Sequence, residues 1–260
     1  MQLTEQQKKE KVKNLRPIDD VFFEVLAQNT DVCQEMLQTI LEDDSLVVTN
    51  VVTQSDERNI YGRSVRLDAL CILGNGTKCN IEVQRSDNDN HLKRARFNAS
   101  SITVRDSEPG TTFEEVLELY IVYISEFDFL KGNKTIYHLE KVVRETGVVV
   151  DDGLHEIFVN TVVDDGTDIA ELMSCFTKKE VKNPKFPKLS SEVTRLKETE
   201  GGVQVVCEVM QQYERIAIKK DHIEKIQKMI KKGYSKEEIL DLDYTEEEYA
   251  EAEEKILQLT

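Results

Sequence analysis

Hydrophobic and polar residues alternate most regularly between Ser64 and Arg85, SVRLDALCILGNGTKCNIEVQR. Val65, Leu67, Ala69, Cys71 and Leu73 recur with period two and predict a strand with one apolar face, leaving Arg66, Asp68, Leu70 and Ile72 on the other. A second strand is expected from Thr77 to Arg85, with Ile81 and Val83 on one face and Asn80, Glu82 and Gln84 on the other. Gly74-Asn75-Gly76 between them is a turn signal. A two-residue turn at Asn75-Gly76 would send Asp68 and Glu82 to opposite faces, because a slip of one residue turns every side chain over. A three-residue loop with Gly76 in the left-handed position pairs Leu73 with Thr77, Asp68 with Glu82 and Arg66 with Gln84, and it also aligns the apolar faces. Directly opposed β-carbons lie about 5 Å apart, close enough for two carboxylates to hold one hard cation. The same pattern allows a solvated face on which Asp68 pairs with Arg66 and Glu82 meets water. Periodicity alone favours this second reading, since antiparallel sheets commonly have one wet face.

The rest of the chain shifts between helical and strand spacing. Residues 1–13 are polar and lysine-rich and are expected to be a frayed lead-in. Val21, Phe22, Val25 and Leu26 predict a helix over Ile18–Gln28, with Pro17 at its start and Asp19 and Asp20 in the first turn, where the helix dipole favours anions. A second helix is expected over Thr30–Leu41, then a strand over Leu46–Gln54 and a polar link, SDERNIYGR, over 55–63. After Gln84, Asn88 or Asp89 is expected to cap a helix reaching Val104, with an apolar stripe of Leu92, Ala95, Ala99 and Ile102 flanked by Lys93, Arg94 and Arg96. His91 reads as a capping or surface residue. Glu118–Ser125 reads as a buried central strand reached by crossover, followed by strands within 134–150 and at Glu156–Val163 and a short helix over Asp168–Phe176. This order predicts an α/β domain with a mixed central sheet flanked by helices.

Asn183-Pro184-Lys185-Phe186-Pro187 marks the clearest boundary, giving a lead-in (1–13), a domain (14–182) and a helical C-terminal region (183–260). In the last region a helix over Glu192–Glu200 is expected to end at Gly201-Gly202. A long helix follows from Val203 to Lys232, stopped by Gly233, and capping boxes begin at Ser235 and Thr245. This region carries no chemistry of its own and is expected to be a solvated appendage, an oligomerisation element or a site for a protein partner.

Composition narrows the functions. A length of 260 residues allows one sizeable domain plus an appendage. The formal net charge of −16 argues against bulk attraction to nucleic acid, so any such contact needs a local patch. One window supplies it: from Arg85 to Arg105, Lys93, Arg94, Arg96 and the two terminal arginines outnumber Asp87 and Asp89. Arg58, Arg63 and Arg66 precede the acidic strand and suit either phosphate or their acidic neighbours. The five cysteines form no CxxC pair and read as reduced packing thiols in a cytoplasmic protein. No apolar run approaches the roughly 20 residues needed to cross a bilayer.

Leu67-Asp68, thirteen intervening residues and Glu82-Val83-Gln84 resemble the core of the PD-(D/E)XK nuclease superfamily. The closer resemblance is to its transposase-associated, recombination-promoting branch, which ends the motif in Glu-x-Gln. Arg16-Pro17-Ile18-Asp19-Asp20-Val21-Phe22-Phe23, Gly62-Arg63-Ser64 and Lys93-Arg94-Ala95-Arg96-Phe97 extend the similarity over about residues 14–176. The resemblance implies a restriction-endonuclease-like core and a metal-dependent DNA endonuclease of little sequence preference, linked to mobile elements or recombination. By it, Asp68 and Glu82 bind Mg²⁺, with Mn²⁺ or Ca²⁺ as alternatives, helped by the Val83 carbonyl and Asp20. Gln84 stands at the lysine position, and Arg66, Lys93, Arg94 and Arg96 are the expected DNA contacts. Glu24 departs from the lysine usual in the branch. Hydrolysis of RNA stays open, and the rival from another class is a catalytically inactive nuclease-fold module that binds protein through its helical tail.

Overall fold

The computed structural model describes residues 4–58, 64–88, 90–107, 110 and 112–257. In chain order the elements are α1 (Glu5–Asn14), α2 (Asp20–Leu26), α3 (Thr30–Ile40), β1 (Val48–Arg58), β2 (Ser64–Leu73), β3 (Lys78–Gln84) and α4 (His91–Asp106). There follow β4 (Leu119–Ser125), β5 (Ile136–Leu139), β6 (Lys141–Val143), β7 (Val148–Val150), β8 (Leu154–Asn160), α5 (Asp168–Phe176) and α6 (Pro187–Glu198). The C-terminal helices are α7 (Glu200–Lys231), α8 (Lys236–Leu240) and α9 (Glu246–Leu257).

The Gly74-Asn75-Gly76 loop fixes the register on which the sheet depends. Gly76 adopts φ +88°, a conformation glycine takes without steric cost. Leu73 N–H donates to Thr77 O at 2.9 Å, and Gly76 N–H to Leu73 O at 2.9 Å. Cys71 then lies opposite Cys79 and Ala69 opposite Ile81, the three-residue register expected from the sequence. The six-stranded sheet has the order β1-β2-β3-β4-β8-β5, while β6 and β7 form a separate two-stranded hairpin. β1, β2 and β3 are antiparallel, β3, β4 and β8 parallel, and β5 antiparallel to β8.

Both faces of the sheet are covered. The β3–α4–β4 crossover lays α4 over one face, where Ala95, Ala99 and Ile102 pack with Leu70, Ile121, Tyr123 and Phe158. On the other, α2 packs against β2 and β3, and α3 against β1. Ala69, Cys71, Cys79, Ile81, Val122 and Ile124 are buried there. Around Glu82 the solvated face that periodicity favours is therefore absent among the described residues. Two of the polar residues at alternate positions of β3 do not face water: Asn80 is 0% exposed and Glu82 1%. All five cysteines are buried free thiols, and burial holds Cys79 well above the ordinary thiol range.

Other departures have local causes. The expected N-terminal lead-in is a helix, because Thr4 and Gln7 close a capping box and Val12 is fully buried. α4 starts at His91, with the Asn90 side chain rather than Asn88 accepting from Lys93 N–H, while the other expected cap, Asp89, lies outside the described residues. Gly201-Gly202 does not end a helix but lies in the first turn of α7, while α6 stops at Glu198. A β-carbon on Gly202 would sit 2.4 Å from Arg195 O and 2.6 Å from Leu196 Cα, so glycine here permits close backbone approach.

The chain divides into two compact units, residues 1–206 and 207–260. α6 belongs to the first, where Lys197 reaches the carbonyls of Lys13, Leu15 and Lys179 and lies 5.0 Å from the Phe22 ring centroid. The second is helical, with Ile223, Ile226, Ile239 and Ala252 at its core and the expected capping boxes at Ser235 and Thr245. Among the described residues no helix is long and apolar enough to cross a membrane.

Candidate active site

β2 and β3 separate at the end far from their loop, and carboxylates fill the gap. Asp68 and Glu82 lie one step past the Ala69–Ile81 pair, and side chains bridge them: Val83 N–H donates to Asp68 Oδ2 at 2.9 Å, and Asp68 N–H to Glu82 Oε1 at 3.4 Å. Asn80 Nδ2 also donates to Glu82 Oε1, at 2.8 Å. Glu82 Oε2 is buried and reaches no hydrogen-bond partner among the described residues.

The electrostatics follow from that burial. Desolvation, then the neighbouring Glu82 charge, pushes the Asp68 carboxyl well above the ordinary aspartate range. Desolvation raises Glu82 as well, partly offset by Asn80 and Arg94. Asp20, the first residue of α2, is near enough for its charge to raise Asp68 further, and is itself raised by desolvation against the pull of Arg85. Its neighbour Asp19 turns elsewhere. It accepts from Arg16 N–H at 2.7 Å and pairs with Arg16 and Arg85, both at 3.0 Å, while Glu126 completes the cluster.

Of the four basic residues expected as DNA contacts, Arg94 is the one seen beside the acids among the described residues. Its Nη1 donates to Gln84 Oε1 at 3.0 Å, and its Nη2 lies 3.7 Å from Glu82 Oε2. Gln84 is held in turn by its amide, which donates to Ser86 O at 2.8 Å and Ser86 Oγ at 3.2 Å. Lys93 and Arg96 are exposed on the same helix. The Arg66 and Arg58 side chains, and all of Arg63 and Asp89, lie outside the described residues. Glu24, at the position that departs from the family pattern, is buried.

Sequence reasoning missed three supports of this site. Period two puts Asn80 on the face of Glu82, but the hydrogen bond by which it holds that carboxylate was not foreseen. Asn98, one turn beyond Arg94, helps hold Glu82 ionised, but only the docking of α4 shows it. His91 is buried, not a surface residue: Nδ1 meets Tyr123 OH at 2.9 Å and Nε2 meets Asp87 Oδ1 at 3.0 Å, between Phe127 and Phe129.

The donor set fits a hard divalent cation. Two adjacent carboxylates share a site in which each is disfavoured as an anion, and one buried oxygen lacks a donor. Among the described residues no group of three or more His, Cys, Asp or Glu is gathered to hold a metal ion, and the two acids on β2 and β3 stand as a pair.

The model of one protein family, described as PD-(D/E)XK nuclease family transposase, matches residues 17–163, more than half of the chain. No curated protein and no solved structure matches. The matched span runs from three residues before α2 to three residues past β8 and takes in the mixed sheet, α4 and both carboxylates, a restriction-endonuclease-like arrangement. Nucleases of this superfamily generally use divalent metal ions, which agrees with the oxygen donors assembled here. From the family match and the fold together, the chain belongs to the PD-(D/E)XK nuclease family transposases.

Proposed function

We propose that the protein is a metal-dependent DNA endonuclease that hydrolyses phosphodiester bonds with little sequence preference, in the service of a mobile element or of recombination. The observation that carries this reading is the buried Asp68–Glu82 pair, with its raised carboxyls and the donor-free Glu82 Oε2. Asp68 and Glu82 would hold the cation, assisted by the Val83 carbonyl and by Asp20, with Mg²⁺ the first candidate and Mn²⁺ or Ca²⁺ as alternatives. When bound, the ion would lower the pKa of a water and offset charge on the phosphoryl oxygens.

The other roles belong to side chains of this chain. Gln84 has no charge to give, and its amide can orient a water or bind a phosphate oxygen. Arg94, together with Lys93, Arg96 and Arg66, would grip the backbone, and contacts to phosphate position DNA without reading its sequence. Five free buried thiols fit a reducing, cytoplasmic setting.

Nicking of supercoiled plasmid by the full-length protein, with Mg²⁺, Mn²⁺ or Ca²⁺, tests the proposal beside Asp68→Ala and Glu82→Ala. Cleavage that requires metal and disappears in both variants is the expected result. A folded wild type as inert as both variants across all three ions would overturn it in favour of a non-catalytic module.

A further inference from the structure

Arg94 turns its guanidinium inward, onto Gln84 and the acidic pair. Its guanidinium lies 3.0 Å from Gln84 Oε1 and 3.7 Å from Glu82 Oε2, the buried oxygen without a hydrogen-bond partner. Asp20, Asp68 and Glu82 all feel its charge as a stabilising one. Gln84 is locked with its amide on Ser86, which presents its carbonyl oxygen to Arg94. The arginine side chain keeps 36% of its exposure, so it has a way out towards solvent, whereas Glu82 has none.

We infer that Arg94 is an internal counter-cation of the acidic pair, exchanged for the divalent metal and released by it to bind phosphate. This rests on the metal-site reading above. The physical basis is a single attraction used twice. Without metal, one guanidinium offsets the charge of carboxylates that burial has stripped of water. Asp68 and Glu82 would hold a divalent cation that supplies that compensation more fully, and the guanidinium of Arg94 would then be repelled. The fork of an arginine suits a phosphate as well as it suits Gln84 and Glu82. Metal and DNA binding are thereby coupled, and the coupling is reciprocal: whatever factor the metal adds to DNA affinity, DNA adds to metal affinity. The arrangement also keeps a strongly acidic protein from holding phosphate before its metal is in place.

The test compares full-length wild type, Arg94→Gln and Asp68→Asn by Mn²⁺ binding without DNA, read by electron paramagnetic resonance. Duplex DNA binding is then read by fluorescence anisotropy with and without Ca²⁺. Removing the competitor should tighten Mn²⁺ binding in Arg94→Gln about five- to thirty-fold, while the Ca²⁺-dependent gain in DNA affinity shrinks towards none. A residue that merely supports the fold would weaken both, and one that only grips DNA would leave Mn²⁺ binding unchanged. Either result overturns the exchange while leaving the metal site standing, provided the wild type binds Mn²⁺ in a way Asp68→Asn abolishes. Absence of any Asp68-dependent Mn²⁺ binding overturns both readings.

Discussion

Val83 donates its backbone N–H to Asp68 Oδ2 at 2.9 Å, so a carboxylate rather than a carbonyl receives that strand's amide at the edge of the β2–β3 ladder. The acid is thus part of the sheet's own hydrogen bonding and also half of a repelling pair. Asp68→Asn keeps an acceptor for Val83 and removes one charge. Without metal, the variant should be more stable than wild type by about 1–2 kcal/mol, the usual reward for neutralising a strained functional group. Urea unfolding in chelator checks this, and an equal or lower midpoint for the variant would contradict it.

Lys197 gives a pH dependence of stability. Burial lowers its pKa to about 8, against an ordinary value of 10.5. Between those values the unfolded chain binds the proton and the folded chain does not, so this residue makes stability rise with pH through that window and contributes no slope below it. Unfolding midpoints of wild type and Lys197→Met, taken from pH 7.5 to pH 10, should show wild type gaining on the variant. Parallel curves would show that the ammonium is not buried as described.

Adjacent glycines should respond with opposite signs. A β-carbon at Gly201 meets nothing within 4 Å, so Gly201→Ala should stabilise the start of α7 by about 0.5–1 kcal/mol. At Gly202 it would meet backbone atoms of Arg195 and Leu196, so Gly202→Ala should destabilise by about 1–3 kcal/mol. Thermal melts of the two variants decide the point, and a matching pair of shifts would refute the close approach.

The His91–Tyr123 contact ties α4 to β4 beneath the site. His91→Ala should cost about 2–4 kcal/mol through the space it leaves between Phe127 and Phe129, and Tyr123→Phe about 0.5–1.5 kcal/mol through the lost hydroxyl. A double-mutant cycle should return a coupling of at least about 0.5 kcal/mol. Strict additivity would mean the two side chains act independently.

These residues also show what a sequence reveals. The opposition of Asp68 and Glu82 was legible because loop length and the parity of apolar residues converge on one register. The burial of Glu82 was not, since period two reports which side chains share a face and says nothing of what covers it. That needed α4, whose placement is set by the β3–α4–β4 crossover. The Gln84–Arg94 contact and the His91 cluster depend on the same docking. The N-terminal helix was hidden because it buries so little apolar surface beyond Val12. Gly202 was misread because a glycine that ends a helix and one that lets two backbones touch look alike in a string of letters.

The Lys197 ammonium also bears on the order in which the molecule can be finished. It closes onto carbonyls at Lys13 and Leu15, 184 and 182 residues earlier in the chain. During vectorial synthesis every strand of the sheet has been polymerised before this lysine is added. The first helix therefore waits for its last tie until the whole sheet sequence has been made. A nascent chain stopped just short of residue 197 carries both site carboxylates with that seam still open.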